Sequence, residues 1–237
     1  MSDTPQRVNA LGQPIGCDVP DWRAPPRPPH TVMAGRFCRV EPLDVARHAT
    51  ELHAANSLDR EGRMWTYLFN GPFATEAEYR EWLAPRQHSE DPLFFAIVDS
   101  ASGRATGLAS HLRIDPPQGV LEVGHLAFSP LLQRTPAATD AMYLMMKNAF
   151  DLGYRRYEWK CDALNEPSRR AAERLGFRFE GIFRQAVVYK GRNRDTAWYS
   201  IIDGEWPAIR RAFEQWLDPA NFDAGGQQKH RLVTGRR

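Results

Sequence analysis

A strand-like apolar run ends in Leu126-Ala-Phe128-Ser-Pro130 and passes through Leu-Leu-Gln133-Arg134 into Thr135-Pro136-Ala-Ala138-Thr139-Asp-Ala141, where an amphipathic helix starts. Such a junction suits anion binding. The first turn of a helix offers amide N–H groups without intrahelical acceptors, together with the positive end of the helix dipole. Thr135 is a hydroxyl N-cap, and Pro136 has the preset φ of a first helical position although it lacks an amide hydrogen. Gln133 and Arg134 add side-chain donors, with a solvated loop as the alternative. About 25 residues on, Asn165-Glu-Pro-Ser168-Arg-Arg-Ala171-Ala172-Glu-Arg-Leu175 opens a second helix. Ser168, Ala171, Ala172 and Leu175 fall at i, i+3, i+4 and i+7, which puts the hydroxyl on the buried stripe near the N-terminus. A hydroxyl there either faces a cleft as a polar group able to exchange a proton or satisfies its own first turn, with Asn165 as the cap.

A proton acceptor is sought in Leu121-Glu122-Val123-Gly124-His125. In a regular strand Glu122 and His125 point to opposite faces, so only one enters a given cleft unless a bulge between them resets the register. His111 ranks third, and a water relay would make a protein base unnecessary.

The two segments resemble the cofactor signatures of GNAT superfamily N-acetyltransferases, in the RimJ/RimL-like form. In that family a strand reading Leu-x-Val-x-Pro is followed by Gln/Arg-x-x-Gly-x-Gly/Ala and a helix. The second signature reads Asn-x-x-Ser, a short helix, Leu-Gly-Phe, Glu-Gly and a following Arg. Leu126, Phe128, Pro130, Gln133 and Ala138 fall on the first frame, with Pro136 where the family has glycine; Asn165, Ser168, Leu175-Gly176-Phe177, Glu180-Gly181 and Arg184 fall on the second. The resemblance covers roughly Gly35 to Leu217.

It implies an α+β GNAT (acyl-CoA N-acyltransferase) fold: a central mixed, mostly antiparallel sheet with flanking helices and a splayed central strand. It also implies acetyl-CoA as co-substrate, no metal, and transfer of the acetyl group to a primary amine by direct attack on the thioester. The acceptor would be a protein N-terminus or a small-molecule amine. By resemblance the pantetheine arm pairs with the backbone of Leu126 to Phe128 and is bound by Asn165, while the pyrophosphate meets Gln133, Arg134, Ala138 and Thr139. Ser168 takes the role of general acid. Glu122 stands at a Glu-x-Gly position whose role varies among relatives, and it forms the expected catalytic pair with Ser168. Trp65 and Tyr67 lie in the region that roofs the acceptor cleft. Pro136 keeps a rival open, a CoA-binding module of the same fold with little or no turnover.

These groups need elements to hold them. A proline-rich arm (1–34), extended or disordered, precedes a single acetyltransferase domain (35–217), and residues 218–237, rich in Gly, Gln and Arg, read as a flexible tail. Within the domain a strand from Gly35 to Pro42 is followed by helices over 44–56 and Thr75–Gln87. Strands then cover Leu93–Val98, Ala105–Ile114 and Val120–Phe128, punctuated by turn residues. After the helix that ends at Gly153 come a strand over Arg155–Cys161, the short signature helix, a hairpin over Phe177–Lys190 and Asn193–Ile202, and a last helix to Leu217.

Composition narrows the partners. With 31 Lys plus Arg against 29 Asp plus Glu, the net charge of +2 gives no argument for nucleic acid or an anionic membrane. Three cysteines, far apart and without metal-ligand spacing, argue against a disulfide framework and a zinc site. No long apolar run appears, so the cytoplasm is the expected compartment; a homodimer stays open. Arg169, Arg170, Arg192 and Arg194 are candidates for the ribose 3′-phosphate of CoA, with solvated surface as the stronger reading for each.

Overall fold

The computed structural model describes residues 7–235. Residues 1–6, with Pro5 of the arm, and Arg236 and Arg237 lie outside them. In chain order the arm carries the short strands β1 (Arg7–Val8), β2 (Pro14–Ile15) and β3 (Met33–Ala34), before β4 (Cys38–Pro42), α1 (Val45–Asn56) and α2 (Glu76–Leu83). Then follow β5 (Leu93–Asp99), β6 (Ala105–Asp115), β7 (Val120–Phe128), α3 (Pro136–Asp151), β8 (Arg156–Asp162) and α4 (Glu166–Arg174). The hairpin β9 (Arg178–Tyr189) and β10 (Arg192–Ile202) leads to α5 (Trp206–Leu217).

Eight of these strands form one sheet in the order β3-β4-β5-β6-β7-β8-β10-β9, antiparallel except where β7 meets β8. The uninterrupted apolar run of β5 makes sense in this setting, because both of its faces are covered. Phe94, Ala96 and Val98 face α1 and α2, while Leu93, Phe95 and Ile97 join the larger core under α3 and α5. Met142, Met145 and Met146 fill that larger core. The expected α+β architecture with its mixed, mostly antiparallel sheet is therefore the observed one.

Two segments differ from the sequence expectation, and a third, the N-terminal arm, takes the extended one of its two alternatives. The helix expected over Thr75–Gln87 begins with a Thr75/Glu78 capping box but stops at Leu83, and Arg86–His88 form a separate 3-10 turn. Pro85 accounts for the break, since a proline inside a helix removes a hydrogen bond and clashes with the preceding turn. The N-terminal arm is extended but docked: Trp22 Nε1 donates to the Pro117 carbonyl at 3.2 Å and Tyr154 Oη to the Pro26 carbonyl at 3.1 Å. Gly119, at φ +63°, accepts the indole because a Cβ there would overlap the Trp22 ring. Residues 218–235, expected to be loose, pack against α5, with Phe222 and Leu232 buried and Asn221 Nδ2 donating to the Trp216 carbonyl at 2.8 Å.

Candidate active site

β7 parts company with both neighbours near its middle. Its parallel pairing with β8 runs only from Val120–Arg156 to Val123–Trp159, so from Gly124 onward the β8-facing edge of β7 has no strand beside it. On the other side Ser110 pairs with Gly124 and Leu108 with Ala127, leaving His125 and Leu126 opposite Ala109. This is a β-bulge, and His125 absorbs it at φ +49°. The bulge reverses the facing: Leu121 and Val123 belong to the α3 core, whereas Ala127 belongs to the α1 core. It thereby resolves the conflict between Glu122 and His125, and both line one cleft of about 1220 Å³. The cleft opens between the diverging strands, under the loop 59–70 and against β10.

At one end stands α3. Thr135 caps it, accepting from the Ala138 amide at 3.3 Å, and Pro136 occupies the first helical position, as its chemistry dictates. Arg134 sits at φ +62° just before, so the backbone turns sharply into the helix. The Gln133 side chain, expected to reach phosphate, donates instead to the Phe128 carbonyl at 2.7 Å and ties the loop to the strand. Thr139 Oγ1 accepts from Arg174 at 2.7 Å. Arg174 is exposed and has no acidic partner among the described residues, so its charge is available to an anion at the α3 N-terminus.

α4 supplies the hydroxyl. Asn165 is its N-cap, accepting from the Ser168 amide at 3.2 Å, and so anchors the helix start beside the gap. Ser168 is half-buried, and its Oγ accepts from Trp159 Nε1 at 3.0 Å. Because the indole fills an acceptor site on Oγ, the hydroxyl proton is free to point elsewhere. Cys161 lies close by; burial raises its thiol pKa, with Ser168 and Arg194 pulling the other way.

On the α1 side of the sheet, charges alternate across three strands. Lys160 Nζ lies 2.7 Å from Glu122 Oε2 and 2.7 Å from Glu158 Oε2, and 3.7 Å above the Trp198 ring centroid. Arg113 also donates to Glu122 Oε2, and Arg156 pairs with Glu158 at 2.6 Å. Glu122 Oε1 makes no hydrogen bond among the described residues and is the oxygen left for a ligand. His125 Nδ1 lies 2.8 Å from Ser110 Oγ, and its pKa is pushed down to about 4 by burial first and then by Arg86 and Arg113. The imidazole is therefore neutral at pH 7 but a weak base. His111 is fully buried beside Tyr157, with its pKa pushed down to about 3 by desolvation, and belongs to the core.

Trp65 is mostly a core residue, edge-on to Phe73, while half-buried Tyr67 bridges the loop to α4 through the Leu164 carbonyl at 3.2 Å; both line the cleft. Lys190 Nζ donates to the Trp65 carbonyl at 2.8 Å and Arg192 to the Thr66 carbonyl at 3.1 Å, which fastens the loop to the β9–β10 hairpin. Of the four arginines considered for phosphate, Arg169 bonds Tyr199, Arg170 pairs with Glu166 on the surface, and Arg192 holds the loop. Arg194, read from sequence as solvated, is buried in the cleft wall. Lys160, Trp159, Trp198 and Arg174 line the cleft and were missed by sequence reasoning. The one trace of them was the alternation Arg156-x-Glu158-x-Lys160, which on a strand reads as an ordinary solvated face.

A strand pair that opens against the N-terminus of one helix and a serine on the next defines a class, and the comparisons with known proteins agree. Residues 39–178 match the acetyltransferase (GNAT) domain, and the chain belongs to that family. It is an acyl-CoA-dependent N-acetyltransferase. The crystal structure of a GCN5-related N-acetyltransferase from Brucella melitensis superposes with a TM-score of 0.87 at 53% identity, over 90% of this chain and 96% of that one. A GNAT-family protein from Chromobacterium violaceum ATCC 12472 superposes with a TM-score of 0.77 at 39% identity, over 82% of this chain and 98% of the other. Among curated proteins, one provisionally named ribosomal N-acetyltransferase YdaF, from Bacillus subtilis (strain 168), is 28% identical over 170 residues, 70% of this chain and 90% of that protein.

Proposed function

We propose that this enzyme acetylates a primary amine in the manner of the RimJ/RimL branch, with acetyl-CoA lying in the gap between β7 and β8, and that it works in the cytoplasm. The observation that carries this reading is the open β7 edge from Gly124 to Phe128, placed between the α3 N-terminus and Ser168. Backbone groups there are free to pair with the amides of a pantetheine arm, while α3 and Arg174 supply donors and charge for the pyrophosphate. The amine nitrogen attacks the thioester carbon, the C–S bond breaks, and the thiolate takes a proton from the Ser168 hydroxyl, which regains one from the nitrogen, directly or through water, as the amide forms. The proton lost by the ammonium goes to Glu122 Oε1, directly or through one water. Cys161, with its raised pKa, stays a neutral thiol and does not compete as a nucleophile.

Pro136 no longer argues for a module without turnover, because the helix starts on it and keeps its cap. The ribosomal N-acetyltransferase name borne by YdaF favours a macromolecular acceptor, for which we propose a protein N-terminus, and the size of the cleft admits one. Calorimetric titration with acetyl-CoA followed by thiol-release assays over a panel of peptides and small amines tests the reading. Acetylated product with at least one primary amine is expected; tight cofactor binding without thiol release from any of them would overturn it.

A further inference from the structure

Among the described residues, Arg194 is the one cation of the cleft wall that is deeply buried and has no acid. Its residue is 8% exposed, yet no carboxylate among the described residues comes within 4.0 Å of the guanidinium. Nε donates to Thr196 Oγ1 at 3.2 Å, and the group is flanked by Phe69 at 5.3 Å and Tyr189 at 6.0 Å from their ring centroids. No hydrogen bond among the described residues engages the terminal nitrogens, and the residue lines the cleft. The acids nearby are committed elsewhere: Glu122 and Glu158 to Lys160, and Asp162 to the Tyr189 hydroxyl at 2.8 Å. A guanidinium withdrawn from water without a counter-ion is expensive, and a protein that holds one facing a ligand cleft is complementary to an anion.

We propose that Arg194 is a specificity-determining residue that receives an oxyanion carried by the acceptor. The inference rests on the acetyl-transfer reading above and deepens it by naming a substrate class. Register supplies the spacing. Trp198 pairs with Lys160 in the β8–β10 ladder, beside Glu122, and Arg194 lies four residues further along β10. At about 3.3 Å per residue that is roughly 13 Å. The acceptor is thus an amine with a carboxylate or phosphate on the order of 10–13 Å away, the reach of three or four extended residues. Nε being engaged, the two terminal nitrogens remain, and their fork suits a planar carboxylate in bidentate fashion.

The test compares four probes: a tetrapeptide of alanine and glycine with a free C-terminus, its C-terminal amide, that amide with aspartate at the fourth position, and an aminoalkyl phosphate of equal span. The first two decide whether an oxyanion matters; the last two distinguish its sources. In the wild type, kcat/KM should favour the free acid over the amide by about 10- to 100-fold, through KM. In Arg194→Met, which keeps the packing stem, that ratio should fall to near one, and Arg194→Lys, which keeps charge without the fork, should lie between. An equal loss on acid and amide would make Arg194 a structural support of the loop, and an unchanged ratio would remove it from recognition; either result overturns the proposal.

A second readout needs no turnover. The N-acetylated free-acid peptide should raise the melting temperature of the wild type and not that of Arg194→Met, and equal protection of both also overturns it. Absence of thiol release with every amine would sink the transfer reading alone, leaving this binding comparison to decide on Arg194.

Discussion

At the α3–α4 end the cleft is lined largely by backbone edge, helix termini and caps, drawn from residues 126–139 and 165–174. At the loop end they are side chains: Tyr67, Arg113, Glu122, Lys160, Arg194 and Trp198, from five separated segments and held by ion pairs and ring contacts. The first end suits the acyl-CoA that the proposed reading places there, since backbone donors and a helix dipole do not depend on which side chains surround them. The second can be rebuilt without touching the first. Function at the level of cofactor thus resides in local chain geometry, and function at the level of acceptor in tertiary packing.

Four substitutions probe that division, in falling order of effect. Glu122→Gln should cut turnover by about 10²- to 10⁴-fold near neutral pH, the usual scale of proton-transfer catalysis, with the CoA dissociation constant little changed. The deficit should shrink as pH approaches the acceptor's own pKa, because a free amine needs no base; a pH-independent deficit would leave Glu122 as an anchor for Lys160.

Ser168→Ala should lower turnover by about 10- to 10⁴-fold while CoA affinity stays within a few-fold, the pattern of a contact made mainly in the transition state. It also strips Trp159 Nε1 of its acceptor, so a stability loss of about 1–3 kcal/mol should appear in denaturant melts. A parallel loss of CoA affinity would turn Ser168 into a binding group and place it wholly at the cofactor end.

Arg174→Met should weaken CoA by about 10- to 100-fold, the equivalent of one charge-assisted hydrogen bond, and flatten the salt dependence of binding without altering acceptor preference. Pro136→Gly should change CoA affinity by less than about tenfold, because one added amide donor worth roughly 0.5–1.5 kcal/mol is offset by a more flexible loop. A shift in acceptor selectivity in either variant would show that the two ends are coupled.

The same contrast explains what could be read from the chain. Thr135-Pro136, Asn165-x-x-Ser168 and the turn residues between strands act over three or four positions, so they are visible as spacing. The bulge at His125 is not, because it depends on how β6 and β7 register against each other, and the sequence left Glu122 and His125 as rivals until the structure placed both in one cleft. Lys160 and Arg194 look like solvated residues of alternating strands, and their burial arises only from tertiary packing, against Glu122 and Trp198 for the one and Phe69 and Tyr189 for the other. Gln133 was visible, but its turn onto the Phe128 carbonyl was not. The tail misled through composition: its Gly and Gln content suggests looseness, while the single residues Asn221, Phe222 and Leu232 are enough to dock it.

The gap beside β7 also has a meaning for the protein as a solute. Unpaired strand edges are where sheets recruit other chains, and outer edges are commonly blunted by charge; β9, at one end of the sheet, carries Arg178, Glu180 and Arg184. From Gly124 to Phe128 a second edge exists inside the molecule, where the loop and hairpin bar a foreign strand but leave room for a thin, flexible ligand. Those amides should therefore exchange their hydrogens with solvent readily in the free enzyme and slow sharply when a ligand completes the ladder, while amides of β5 stay protected throughout.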